Sequence, residues 1–326
     1  MGLYNIFFNE FGRLRSGLRL VFYFLAFIAA SLLLVTILRA GFAIGREIAP
    51  SFPYAGFFAE LTYRLFILAA ALGAGYFCVR LLEGLPWRSL GMTLHAGWFR
   101  DLVIGSAIGF AALALAVAIA TVPGGLKFSF SGGEMLLAAG KSLVSSTVLF
   151  LVAALAEEAA FRGYGLQTLT RAKLVGFGVL LTSLPFGVAH LLNPNLVPVV
   201  TFSNTVLAGV WLAIAYLRTR SLWCPLGVHF GWNWALGWFF GLPVSGARLV
   251  SNPLFAGEDL GPKWLTGGSY GIEGGVACTI ALAIFTLFVW RTRWLSATPE
   301  LLKLTSEENP VTPPAVLTIQ PEDNNA

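Results

Sequence analysis

The chain has 326 residues, 57% of them hydrophobic and 11% charged, with a formal net charge of +5 and a mean hydropathy of +0.76. A water-soluble domain of this length has no use for so much apolar surface, so that class is excluded. Nucleic acid is excluded as a partner as well, because the basic residues are scattered over several loops and form no single stripe.

Residues 1–17 mix aromatic and basic side chains and predict an N-terminal segment lying in the membrane interface. A helix that crosses a bilayer needs roughly 20 apolar residues, and about eight stretches meet that requirement. They are Leu18–Leu38, Phe57–Val79, Leu102–Val122, Met135–Ala156, Leu174–Leu192, Leu196–Leu217, Leu222–Phe240 and Ile272–Trp290. The first is longer than a secretory signal core and reads as an uncleaved anchor. Cys78, Cys224 and Cys278 fall in or beside these stretches without metal-type spacing and read as small core residues.

Basic residues collect in alternate connections: Arg13, Arg15 and Arg19 before the first span, then Arg80, Arg88 and Arg100, then Arg162, Arg171 and Lys173, then Arg218 and Arg220, and finally Arg291 and Arg293. Retention of such residues on the inner side predicts that both termini are cytoplasmic. The outer stretch 241–271 is glycine-rich, longer than an ordinary connection, and reads as a mobile loop rather than a lid. From Ala297 the chain turns polar and proline-bearing, which predicts a disordered tail over 297–326. The fold expected is an all-α membrane protein, with one polytopic domain over 18–296.

Ionisable groups inside spans cost several kcal/mol unless paired or hydrated, so each is a candidate for function. Glu60 and Arg64 share a helix face at i,i+4 and read as a structural ion pair near the outer end of the second span. In EEAAFR, Glu158 and Arg162 stand in the favoured i,i+4 order, which leaves Glu157, about 100° round the helix, pointing elsewhere without a cation. Such a carboxylate suits proton transfer from water, or binding to a metal such as zinc alongside imidazole.

Two of the three histidines stand in apolar spans, His190 ending LPFGVAH and His229 within CPLGVHFGWN. Asn233, one turn beyond His229, offers a neutral donor for a developing oxyanion. His95 lies in a basic loop and receives no role.

The three strings, Glu157-Glu158-x-x-x-Arg162, Phe186-x-x-x-His190 and His229-x-x-x-Asn233, resemble in order and spacing the motifs of the CAAX prenyl protease 2 and bacteriocin-processing (CPBP, or Abi) intramembrane proteases. The resemblance covers about residues 140–240. It implies an eight-helix endopeptidase of a bacterial plasma membrane, acting on a membrane-associated protein or peptide from a cavity within the lipid bilayer. Glu157 and His190 would hold and activate the attacking water, His229 and Asn233 would stabilise the oxyanion, and Glu158 with Arg162 would shape the site. If the family chemistry is that of zinc, Glu157, His190 and His229 are the implied ligands. HExxH is absent, which sets the chain apart from unrelated zinc membrane proteases. Two other readings stay open from the residues: a catalytically silent membrane scaffold, and an ion- or proton-coupled transporter using Glu157 and His190 as a relay.

Overall fold

The computed structural model describes residues 4–48, 55–130, 132 and 134–306. The helices are α1 (Tyr4–Phe7), α2 (Ser16–Ile48), α3 (Ala55–Leu81), α4 (Trp98–Thr121), α5 (Glu134–Glu158), α6 (Tyr164–Arg171), α7 (Val175–Ala189), α8 (Pro198–Thr219), α9 (Trp223–Trp234), α10 (Lys263–Thr266), α11 (Val276–Arg291) and α12 (Pro299–Ser306). Five stretches are long and apolar enough to cross a membrane: Ser16–Gly45, Gly56–Leu81, Trp98–Thr121, Leu136–Arg171 and Pro198–Thr219. Val175–Ala189 and Val276–Arg291 are shorter apolar helices. The chain is thus a helical membrane protein, and on length and composition five of the eight expected spans qualify.

The fourth span departs most from the sequence reading, which ends it at Ala156. After Glu158 the helix continues through one wide π-type turn, Ala159–Gly163, into α6, giving a single rod that ends at Arg171. A π turn frees backbone carbonyls from the regular ladder. Here the hydroxyl of Tyr23 on α2 donates to the Ala160 carbonyl at 2.8 Å. The extension settles the depth of the candidate residues. Glu157 lies about 21 Å from the Arg171 end, and His190 about 22 Å from the start of α7, at 1.5 Å per residue. The span bounds expected from sequence, ending at Ala156 and at Leu192, put these two at opposite ends of the bundle.

The closest helix pair is α4 with α9. Gly105 and Gly109 on α4 face Gly227 and Gly231 on α9, and a Cβ on any of the four would collide with a backbone carbonyl of the other helix. Two small-xxx-small faces therefore meet backbone to backbone, the usual way for helices to pack where lipid supplies no hydrophobic drive. This contact fixes the height and rotation of His229, which stands between the two glycines of α9.

At one end of the bundle a two-stranded antiparallel sheet pairs β1 (Leu126–Phe130) with β2 (Phe255–Asp259), from Leu126 opposite Asp259 to Phe130 opposite Phe255. The glycine-rich stretch 241–271, read from sequence as a mobile loop, carries β2 and α10 and packs as ordered structure. Pairing with β1 is a long-range contact that local composition does not announce.

At the other end Glu83, in the connection after α3, is buried between Arg19 and Arg171. Burial by itself would raise the Glu83 carboxyl, but Arg171, Arg19 and the Thr168 hydroxyl together hold it below the usual carboxylate range. His95, given no role from sequence, is also buried here, its Nε2 3.1 Å from the Ser221 hydroxyl oxygen. Within the expected tail, Pro299–Ser306 is helical with Leu301 and Thr305 buried. The rest of that tail, 307–326, and residues 1–3 of the expected interfacial segment lie outside the described residues.

Candidate active site

Glu157 and Glu158 leave α5 just before the π turn and diverge, as a helix requires of neighbours. Glu158 is fully buried and accepts from Arg162 Nη1 at 3.1 Å. The Arg162 guanidinium lies over the Phe186 ring, 4.6 Å from its centroid, and donates from Nη2 to the Gly209 carbonyl at 3.0 Å. One arginine thereby ties α5 and α6 to α7 and α8, and neutralises a carboxylate that would otherwise be prohibitive to bury.

The same Glu158 Oε1 accepts from His229 Nδ1 at 2.9 Å. Since a carboxylate only accepts, Nδ1 carries the proton and the Nε2 edge is presented on the other side of the ring. His190 is oriented by the same logic, with Nδ1 donating to the Phe186 carbonyl at 2.7 Å. Both Nε2 atoms then converge on one oxygen, Glu157 Oε2, each at 3.8 Å. The Phe186 ring sits against both imidazoles, with centroid separations of 4.7 Å to His190 and 6.1 Å to His229.

The other oxygen of Glu157 corrects the expectation that this carboxylate has no cation. Arg64 donates from Nη1 to Glu157 Oε1 at 3.1 Å and from Nε to Glu60 Oε1 at 2.8 Å. The Glu60 and Arg64 pair is real, but it is part of the site. An arginine inside an apolar span is a visible sign of function; its i,i+4 neighbour supplied a sufficient local explanation and concealed it.

Glu157, His190, His229 and Asn233 line one cleft of about 500 Å³, bounded by Phe27 and Ile28 of α2, by α3, and by Val244–Leu249 of the ordered outer stretch. Behind the histidines and Asn233 is a smaller cavity of about 50 Å³, also lined by Glu273. Glu273 is a carboxylate that no motif announces. It accepts from Trp232 Nε1 at 3.0 Å and from the Ser245 backbone N–H at 2.6 Å, fastening the helix that carries His229 to the outer stretch. All six residues singled out from sequence are thus brought together, and Arg64 and Glu273 join them.

Among the described residues no three His, Cys, Asp or Glu side chains are arranged to hold a metal ion. Zinc would bring its nitrogen and oxygen donors to about 2.0–2.2 Å, hence to roughly 3.4 Å from one another in a tetrahedron. The 3.8 Å separations are wider, and Arg64 already places positive charge on Glu157. The arrangement is a poor match for zinc.

Residues 139–235 match a family model described as Rce1-like, type II CAAX prenyl endopeptidase Rce1-like. Neither the curated proteins nor the solved structures give a match. The matched stretch is less than half of the chain and holds Glu157, Glu158, Arg162, Phe186, His190, His229 and Asn233, and through it the chain is similar to the CAAX prenyl proteases.

Proposed function

We propose that the protein is an intramembrane endopeptidase in which Glu157 activates water for attack on a peptide carbonyl of a membrane-associated substrate. The observation that carries this reading is the convergence of His190 Nε2 and His229 Nε2 on the one Glu157 oxygen that Arg64 leaves unengaged. Water bound there gives a proton to Glu157 Oε2 as its oxygen bonds to the carbonyl carbon. The C–N bond then breaks and the same proton passes to the departing amine, so one water is consumed and Glu157 is restored. His190, held by Phe186, positions the water. Asn233 donates from its side-chain amide to the developing oxyanion, and His229, one turn away on α9 and protonated on both ring nitrogens, donates from Nε2, with Glu158 and Arg162 fixing the ring. The donor distances support this route over a zinc-bound water.

The topology that accompanies this reading has eight crossings, α7, α9 and α11 included, and both termini on the side of the basic loops. Purified parent and Glu157→Gln, in detergent with a fluorogenic peptide, test the chemistry. Turnover is expected to fall by about 10²–10⁴-fold with unchanged thermal unfolding. Equal cleavage by the two proteins, or one zinc per chain that is lost in His190→Ala, would sink it.

A further inference from the structure

The cleft at Glu157 continues beyond the catalytic residues. At Leu249 it joins a second chamber of about 570 Å³ toward the sheet end of the bundle, and Leu249 lines both. Along α5 the lining runs from Ala138 through Ser142, Ser145 and Leu149 to Ala153 and Glu157. Steps of three and four residues keep one helix face toward the groove over this whole length. The α3 helix forms the opposite wall from Phe57 to Arg64, and the third wall is pinned to α5 where the Ser142 hydroxyl donates to the Asn252 carbonyl at 2.5 Å. In the other direction the way is shut. Every residue from Glu158 to Arg171 is buried, and the ion network of Arg19, Glu83 and Arg171 closes that end.

From this asymmetry we propose that the substrate enters as an extended peptide segment from the sheet end of the bundle, away from the basic loops, along the serine face of α5. The inference rests on the hydrolase reading of Glu157. From Ala138 to Glu157 the helix covers about 28 Å, enough for about eight extended residues. Ser145 and Ser146 already give their protons to the Ser142 carbonyl. Ser146 is buried, so it is the Ser145 oxygen that remains as an acceptor for an N–H group of an incoming strand, a mode in which main-chain bonds supply affinity.

A single reactive cysteine tests the route, since Cys78, Cys224 and Cys278 are buried. Ser145→Cys in the full chain is exposed to a charged, membrane-impermeant thiol reagent in sealed vesicles of each orientation, and peptide cleavage is followed before and after. Labelling is expected only from the face opposite the basic loops, with turnover then falling about tenfold or more. Labelling only from the basic face, or complete labelling without change in turnover, overturns the proposal. Leu249→Cys repeats the test if Ser145→Cys does not fold. Val144→Trp, whose position is 67% exposed on α5, is expected to keep the parental rate. If the parent cleaves no peptide, the hydrolase reading falls, while the side of labelling still decides the route.

Discussion

Arg64 shows how a single guanidinium sets the geometry of a site it does not share a motif with. Its fork spans Glu60 and Glu157, so the Glu157 carboxylate is held by one oxygen while the other faces His190 and His229. Arg64→Leu is expected to lower kcat about 10–100-fold on the fluorogenic peptide, since outer partners of this kind orient the acting group. Arg64→Lys should recover only part, because an ammonium cannot reproduce the planar two-carboxylate grip. A parental kcat for Arg64→Leu would show that Glu157 needs no such support. At this scale the sequence was informative about residue types and blind to partners: Glu158 and Arg162 pair as their i,i+4 spacing requires, whereas the bond from Arg64 to Glu157 crosses 93 positions.

Among the elements, α9 depends most on its neighbour. The strings Gly105-x-x-x-Gly109 and Gly227-x-x-x-Gly231 are legible as close-packing faces, and His229 stands between the latter two. Gly109→Ala drives a Cβ into the Val228 carbonyl, and is expected to cost about 1–3 kcal/mol of stability. A lower thermal midpoint and a loss of turnover should appear together, because the shift moves His229. Gly41→Ala in α2, where a Cβ meets nothing within 4 Å, should leave both unchanged. Equal behaviour of the two variants in a melting assay would contradict the role given to the α4 and α9 contact. The π turn after Glu158 lies at the same scale and has no composition signature: Ala-Ala-Phe-Arg-Gly is compatible with a regular helix, and only its packing against Tyr23 and Gly209 selects the wider turn.

For the molecule as a whole, the closed end is held by a buried ion cluster rather than by apolar packing alone. Arg171 donates from Nε to Glu83 Oε2 at 2.7 Å, and Arg19 Nη1 lies 3.2 Å from Glu83 Oε1. Because the folded protein holds the Glu83 carboxyl below its ordinary value of 4.5, the stability it contributes is fully present above about pH 4.5 and is lost as pH falls through the folded value. Thermal midpoints of the parent should therefore decline on acidification below about pH 4.5. Glu83→Gln should be less stable at neutral pH by about 3–5 kcal/mol, since it removes the carboxylate charge that faces two buried guanidiniums, and its decline with acid should be shallower. A parallel acid decline in parent and variant would assign the effect to other carboxylates.

Composition and apolar length by themselves determined that this chain is a helical membrane protein, because the bilayer demands long apolar helices whatever their arrangement. The order and spacing of Glu157, Glu158, Arg162, His190, His229 and Asn233 marked a candidate site for the same kind of reason: i,i+4 relations are local and can be read along one helix. What the tertiary structure decided is everything that depends on facing elements. It gave Glu157 its arginine, brought His190 level with it through the continuation of α5 into α6, and folded 241–271 into a wall of the cleft. These follow from contacts between segments far apart in the chain, where burial and backbone pairing are satisfied by partners that local sequence does not specify.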